Sequence, residues 1–158
     1  MGINKVKIGE KVPEFSLPST GNKTVELSEL KGKNIIIYFY PKDATPGCTI
    51  EGQNFRDNIR KFSLLNTVVL GVSRDKISSH EKFKKNQKFP FDLLSDEDEK
   101  LCKIFNVIKE KNMYGRKFFG IERSTFLIDK KGILRNEWRK VKVKGHVGDV
   151  LQTLKKLK

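Results

Sequence analysis

The residues best placed to do chemistry lie in YFYPKDATPGCTIEGQ, residues 38–53, where an apolar block gives way to Pro, Asp, Thr, Pro and Gly before reaching Cys48. With Thr45 as N-cap and Pro46 as the first helical residue, Cys48 falls in the first turn of a helix. The unpaired N–H groups and the dipole at that end favour a thiolate over a thiol, which makes this a nucleophile's position. A lone cysteine can also be a small buried hydrophobe. The rigid, polar loop in front of Cys48 argues instead for a partly open site. Gly47 and Gly52 have the spacing of a phosphate-binding loop, but Gln53 and Asn54 stand where Lys and Ser or Thr are required, and no G-x-G-x-x-G occurs. Glu51 occupies the place where a CxxC pair would carry its second thiol, so disulfide exchange within one motif is excluded. An acyl substrate would need a base beside the sulfur. The only candidates, His80 and His146, have no Cys/His signature and read as surface or capping residues. A peroxide needs no such base, because its weak O–O bond breaks under direct thiolate attack when donors stabilise charge on the leaving oxygen.

A strand, a short loop and a helix in that order put a helix N-terminus at the carboxyl end of a sheet. NIIIYFY (34–40), TVVLGVS (67–73) and STFLID (124–129) read as strands covered on both faces. ILRNEWR (133–139) alternates, with Leu134, Asn136 and Trp138 on one side, and suits a less buried strand after the turn DKKG. Phe55, Ile59 and Phe62 fall at helical spacing and predict a helix from about Pro46 to Phe62. SSHEKFKKNQ predicts a second helix. SDEDEKLCKIF predicts a third, with Ser95 and Asp98 as a capping box and the acids at 96–99 on the positive end of its dipole; it lacks the glycine of a calcium loop. HVGDVLQTLKKLK predicts an amphipathic C-terminal helix whose core face is Val147, Val150, Leu151 and Leu154. VPEFSLPST and KTVELSEL suit short edge strands or a hairpin. Runs and helices alternate without repeat or linker, so residues 1–158 are expected to form one α/β domain around a central mixed sheet.

Thirty-three Lys and Arg against nineteen Asp and Glu leave a formal charge of +14. The basic residues are scattered among acids from Lys5 onward, and no zinc-finger spacing, RNP-like aromatic motif or heptad is present. A solvated basic surface with at most weak, salt-sensitive adhesion to polyanions is expected, with no dedicated nucleic-acid site. Two cysteines fifty-four positions apart, with no apolar signal segment before the charged start, point to a reducing, cytoplasmic setting. The run IIIYFY is too short to cross a bilayer, and Val6 lacks the hydroxyl that a myristoylation signal wants after Gly2. No membrane association, metal or cofactor is expected.

The string YPKDATPGCTIE, with Pro41, Thr45 and Cys48 in the pattern Pro-x3-Thr-x2-Cys, resembles the active-site signature of the peroxiredoxins. Together with GIERSTFLID (120–129), PFDLLSDEDEKLCKIFNVIKEKNMYG and the closing WRKVKVKGH, it is similar to the PrxQ branch, also called bacterioferritin comigratory proteins, over nearly the whole chain. The resemblance implies a thioredoxin-like fold, a monomer, and reduction of hydrogen peroxide and organic hydroperoxides by Cys48. It makes Thr45 a hydroxyl that bonds sulfur and peroxide, Arg123 the guanidinium that favours the thiolate, Pro41 a shield against water, and Glu51 the carboxylate that fixes the arginine. Gly47 lies within the same signature. The resulting sulfenic acid must be captured by another thiol. Relatives carry that thiol five residues after the first or in the following helix, where this chain has Gln53 and Lys84. Cys102 remains, flanking the core face Leu101, Ile104, Phe105 and Ile108, as a small packed residue, as a resolving partner of Cys48 or as one half of an intermolecular disulfide. Failing that, thioredoxin or glutathione with glutaredoxin would reduce Cys48 directly. A basic redox sensor of the same fold is the competing reading.

Overall fold

The computed structural model describes residues 5–157. The Gly2 reading and the last residue of the predicted C-terminal helix lie outside the described residues. Nine strands and five α-helices are laid out among them: β1 Ser16–Ser19, β2 Lys23–Glu26, β3 Asn34–Phe39, α1 Pro46–Asp57, α2 Ile59–Leu64, β4 Thr67–Ser73, α3 Ile77–Gln87, β5 Asp92–Ser95, α4 Lys100–Ile104, β6 Ile108–Met113, β7 Arg116–Ile121, β8 Ser124–Ile128, β9 Leu134–Trp138 and α5 His146–Lys155. Seven strands form one mixed sheet in the order β2-β1-β5-β4-β3-β8-β9, and β6 and β7 form a separate hairpin. β3, β4 and β5 run parallel, while β8 lies antiparallel to β3 with Phe39 opposite Ser124.

β3 sits at the centre because every one of its residues is apolar or buried, and its side chains alternate between two cores. Ile35, Ile37 and Phe39 join one core with Phe105 and Phe126; Ile36, Tyr38 and Tyr40 join the other with Phe55, Phe62 and the buried face of α5. That face is Val147, Val150, Leu151 and Leu154, as the helical spacing predicts. The two cores bury large aromatic and branched side chains at roughly 1.5–3 kcal/mol each relative to exposure.

Three local predictions change and one element is added. The helix predicted over 46–62 divides at Asn58, whose Nδ2 donates to the Asn54 carbonyl at 2.8 Å and competes with helical hydrogen bonding. The helix predicted from Ser95 is reduced to α4, because Asp92–Ser95 pairs with β4 as a strand. Its N-terminus is capped by Asp96, whose carboxylate accepts from the Leu101 and Cys102 N–H groups at 3.2 and 2.7 Å; Ser95 donates elsewhere, to Asp75 O. A register shift between Leu127 and Ile128 in the β8–β9 ladder separates Leu134 and Trp138 onto opposite cores, although simple alternation placed them together. The β6–β7 hairpin is an addition, closed by Tyr114 and Gly115 at φ 53 and 79, and its strand KEKNM is too polar to show an alternating pattern.

Candidate active site

β3 ends against the loop 40–45, which feeds directly into α1. Thr45 has the extended backbone of an N-cap (φ −78, ψ 154), with Pro46 at the first helical position and Cys48 at the third. Its hydroxyl does not cap the helix: Oγ1 donates to the Lys42 carbonyl at 2.8 Å across the loop. The first-turn N–H groups are therefore not spent on Thr45, and the Thr45 oxygen keeps lone pairs for another donor. Pro41 follows the strand and is half-buried.

Cys48 is 2% exposed and belongs to the core that contains Tyr38, Tyr40 and Phe55. Arg123 immediately precedes β8, and the antiparallel register that sets Ser124 beside Phe39 swings it over the start of α1. Its Nη2 donates to Cys48 Sγ at 3.4 Å and its Nη1 to Glu51 Oε1 at 2.7 Å. One guanidinium thus touches two acidic groups on consecutive turns of α1. Gly47 permits this approach, since a Cβ there would stand 3.1 Å from Arg123 Nη2. The structure therefore brings Cys48, Arg123, Glu51 and Gly47 into contact, with Thr45 and Pro41 on the loop that enters the same helix.

Glu51 is fully buried, and its Oε2 has no hydrogen-bond partner among the described residues. Burial pushes its carboxyl up to about 7, against the opposing pull of Arg123. A carboxyl raised in the folded state from about 4.5 to about 7 stabilises the fold fully below the lower value, and that stabilisation is lost as pH rises through the upper one. Wild-type protein is expected to lose up to roughly 3 kcal/mol from this group between those limits. Glu51→Gln should flatten the slope, as read from urea midpoints across the range.

Cys102 departs from its expected place. It is 0% exposed inside the core that holds Phe39 and Phe105, not at the edge of it, because α4 is a short helix folded inward by the Asp96 cap. Burial, then the Asp96 charge, pushes its thiol far up. Cys48 and Cys102 pack in the two different cores to which β3 sends alternate side chains, so the sheet lies between them. Both are free thiols.

The two histidines are also buried, not surface residues. His80 is 0% exposed and bonds Asp43 and the Leu94 carbonyl. His146 is 5% exposed and packs on Phe55 and Trp138; burial pulls its pKa down to about 4, which leaves a neutral ring bonded to Thr125 Oγ1 at 2.7 Å. Lys111 on β6 was not visible as a site residue. Its Nζ donates to the Ile121 carbonyl at 2.6 Å, and burial followed by the neighbouring Arg123 charge lowers its pKa.

A buried cysteine on a helix N-terminus, paired with an arginine that a buried carboxylate anchors, is an arrangement for stabilising sulfur and oxygen anions. The sequence profile of the AhpC/TSA family matches residues 8–137. Peroxiredoxin Bcp of Bacillus subtilis is 53% identical over 150 residues, covering 95% of this chain and 96% of that protein. Peroxiredoxin Bcp of Xanthomonas campestris is 50% identical over 143 residues, 89% of each. Among solved structures, Xanthomonas campestris peroxiredoxin Q superposes with a TM-score of 0.86 at 50% identity over 89% of each chain. A cysteine-to-serine mutant of Xylella fastidiosa PrxQ gives 0.91 at 43% identity, covering 97% of this chain and 98% of that one. These likenesses also assign the thioredoxin-like fold. The chain belongs to the AhpC/TSA family and, within it, to the Bcp or PrxQ peroxiredoxins, which makes it a thiol-dependent peroxidase.

Proposed function

We propose that Cys48 is the peroxidatic nucleophile and that the cycle is completed by an external thiol. The observation that carries this reading is the single Arg123 guanidinium bonded at once to Cys48 Sγ and to buried Glu51. The thiolate attacks the terminal oxygen of a hydroperoxide, forming an S–O bond as the O–O bond breaks. Sulfur is oxidised by two electrons to the sulfenic acid, and the leaving oxygen takes a proton to become water or an alcohol. Arg123 and the first-turn N–H groups stabilise the charge that moves from sulfur to the leaving oxygen. Thr45, whose own hydrogen is engaged by Lys42 O, accepts the peroxide O–H; Gly47 leaves space for Arg123; and Pro41 limits water at the sulfur. Both hydrogen peroxide and organic hydroperoxides are substrates in this reading. A structure of Xanthomonas campestris bacterioferritin comigratory protein, 49% identical to this chain, addresses alkyl peroxide reduction in that protein.

An external reductant is favoured by the placement of the cysteines. Disulfide geometry requires Cα atoms within about 7 Å, and Cys102 would have to leave one core to meet a sulfur that belongs to the other. A dithiol such as thioredoxin, or glutathione with glutaredoxin, attacks the sulfenic sulfur and releases water; a second thiol then frees Cys48 as the mixed disulfide breaks. Because Cys48 is 2% exposed, a protein reductant reaches it only when the first turn of α1 moves aside. Two free thiols suit a cytoplasmic protein. Among the described residues no helix is long and apolar enough to cross a membrane, and on the PrxQ resemblance alone we take the working form to be a monomer. In steady-state peroxide consumption with thioredoxin as reductant, Cys102→Ala should turn over within about twofold of wild type, since the cavity term acts on stability and not on the reacting atoms. A loss of turnover with retained folding would overturn the one-cysteine cycle.

A further inference from the structure

A buried polar cluster behind the loop 40–45 takes no part in the chemistry described so far. Asp43 in that loop is 7% exposed and His80 on α3 is 0% exposed. The Asp43 carboxylate is surrounded by donors: Tyr40 OH donates to Oδ1 at 2.6 Å, Ser79 Oγ donates to Oδ2 at 2.8 Å, and His80 Nδ1 meets Oδ2 at 2.7 Å. On its other side His80 Nε2 meets the Leu94 carbonyl of β5 at 2.9 Å. A carbonyl only accepts, so Nε2 carries a hydrogen, and a further proton occupies the contact between Nδ1 and the carboxylate. The Asp43 N–H is held as well, donating at 2.9 Å to Asp75 Oδ2, which also accepts from Ser73 Oγ. The ligand atoms of Asp43, Asp75 and His80 lie within 4.8 Å of one another, but these bonds already engage them, so the cluster is not argued as a metal site.

This bonding converges on a short piece of chain. Between Asp43 and Thr45 stands Ala44 at φ 63, a left-handed conformation that an alanine adopts reluctantly. Fixing Asp43 by both carboxylate and N–H holds that conformation from outside the loop. We propose that the Asp43–His80 pair is a positioning element of the active site: it ties the loop to α3 and β5 and thereby sets where Thr45 Oγ1 stands relative to Cys48 Sγ. The inference rests on the roles given above to Thr45 and Cys48. His80 acts through the loop and touches neither sulfur nor substrate.

The test compares two single-turnover rates at Cys48, oxidation by hydrogen peroxide and alkylation by iodoacetamide, in wild type, His80→Gln and His80→Asn. Alkylation needs the thiolate but no bound peroxide, so it does not depend on Thr45. The Asn amide sits where Nδ1 was and keeps the bond to Asp43, whereas the Gln amide replaces Nε2 and loses it. Peroxide oxidation is expected to fall about 30- to 100-fold in His80→Gln and to stay within about threefold of wild type in His80→Asn, with alkylation within about twofold in both. Equal impairment of the two variants, parallel changes in oxidation and alkylation, or an unchanged peroxide rate in His80→Gln would each overturn the proposal. Should the His80 variants not fold, Ser79→Ala, which removes one donor from Asp43, should lower oxidation several-fold and spare alkylation; no change overturns the proposal. Wild type that is not oxidised at Cys48 overturns the reading of Cys48 itself and the positioning role with it.

Discussion

Arg123→Met should slow the reaction of Cys48 with hydroperoxide by about a hundredfold to a thousandfold, the usual effect of removing one donor aimed at developing charge in a buried site. Methionine keeps most of the stem volume but removes the Nη2 contact at 3.4 Å and the only cation bonded to the sulfur among the described residues. The same change deprives Glu51 of its partner at 2.7 Å. Breaking a buried ion pair from one side commonly costs about 3–5 kcal/mol. Here the loss should be smaller in acid, because a carboxyl already raised to about 7 escapes by taking a proton. It should grow as pH rises above that value. Adding Glu51→Gln to Arg123→Met is therefore expected to restore stability without restoring rate. Rapid-mixing kinetics and urea denaturation on the single and double variants separate the two effects; recovery of the rate in the double variant would contradict the role given to Arg123.

Cys48→Ser should abolish peroxide consumption, leaving only the background reaction of the reductant. A serine hydroxyl is a far weaker nucleophile than a thiol, and oxygen cannot pass through the sulfenic acid that stores the oxidising equivalent. Cys102 cannot take over, since it is fully buried and its thiol is pushed far up by burial and by Asp96. The substitution is nearly isosteric at a site whose neighbours are Tyr38, Tyr40 and Phe55, so the protein should stay folded. Consumption of hydrogen peroxide with thioredoxin as reductant measures the effect, and turnover above background in the serine variant would refute the assignment.

The legibility of this molecule in its sequence follows the range of the interactions involved. β3, β4 and α5 are declared by local apolar pattern, and Cys48 by the capping residues beside it. Arg123 is not declared in that way. Its place over Cys48, 75 residues away, comes from the antiparallel register of β8 on β3, and only the family resemblance pointed to it. The run Asp92–Ser95 looked like the approach to a helix because its strand pairing is with β4, a partner no local window contains. Leu134 and Trp138 separated because a bulge breaks the two-residue period. Cys102 sits in the core because Asp96 caps α4 and holds the Cys102 N–H. His80 sits in a polar, lysine-rich helix, and its burial depends on Asp43 and Leu94, neither of which its own segment supplies.

The central claim is that one sulfur, Cys48, carries the oxidation and that no disulfide with Cys102 follows from it. The most direct measurement is the intact mass and peptide map of wild type and Cys102→Ala after one equivalent of hydrogen peroxide without reductant. Both proteins are predicted to gain one oxygen, about 16 Da, on the peptide that contains Cys48, and to run unchanged on a non-reducing gel. Loss of about 2 Da in wild type but not in Cys102→Ala, with the peptides of Cys48 and Cys102 joined, would contradict the account.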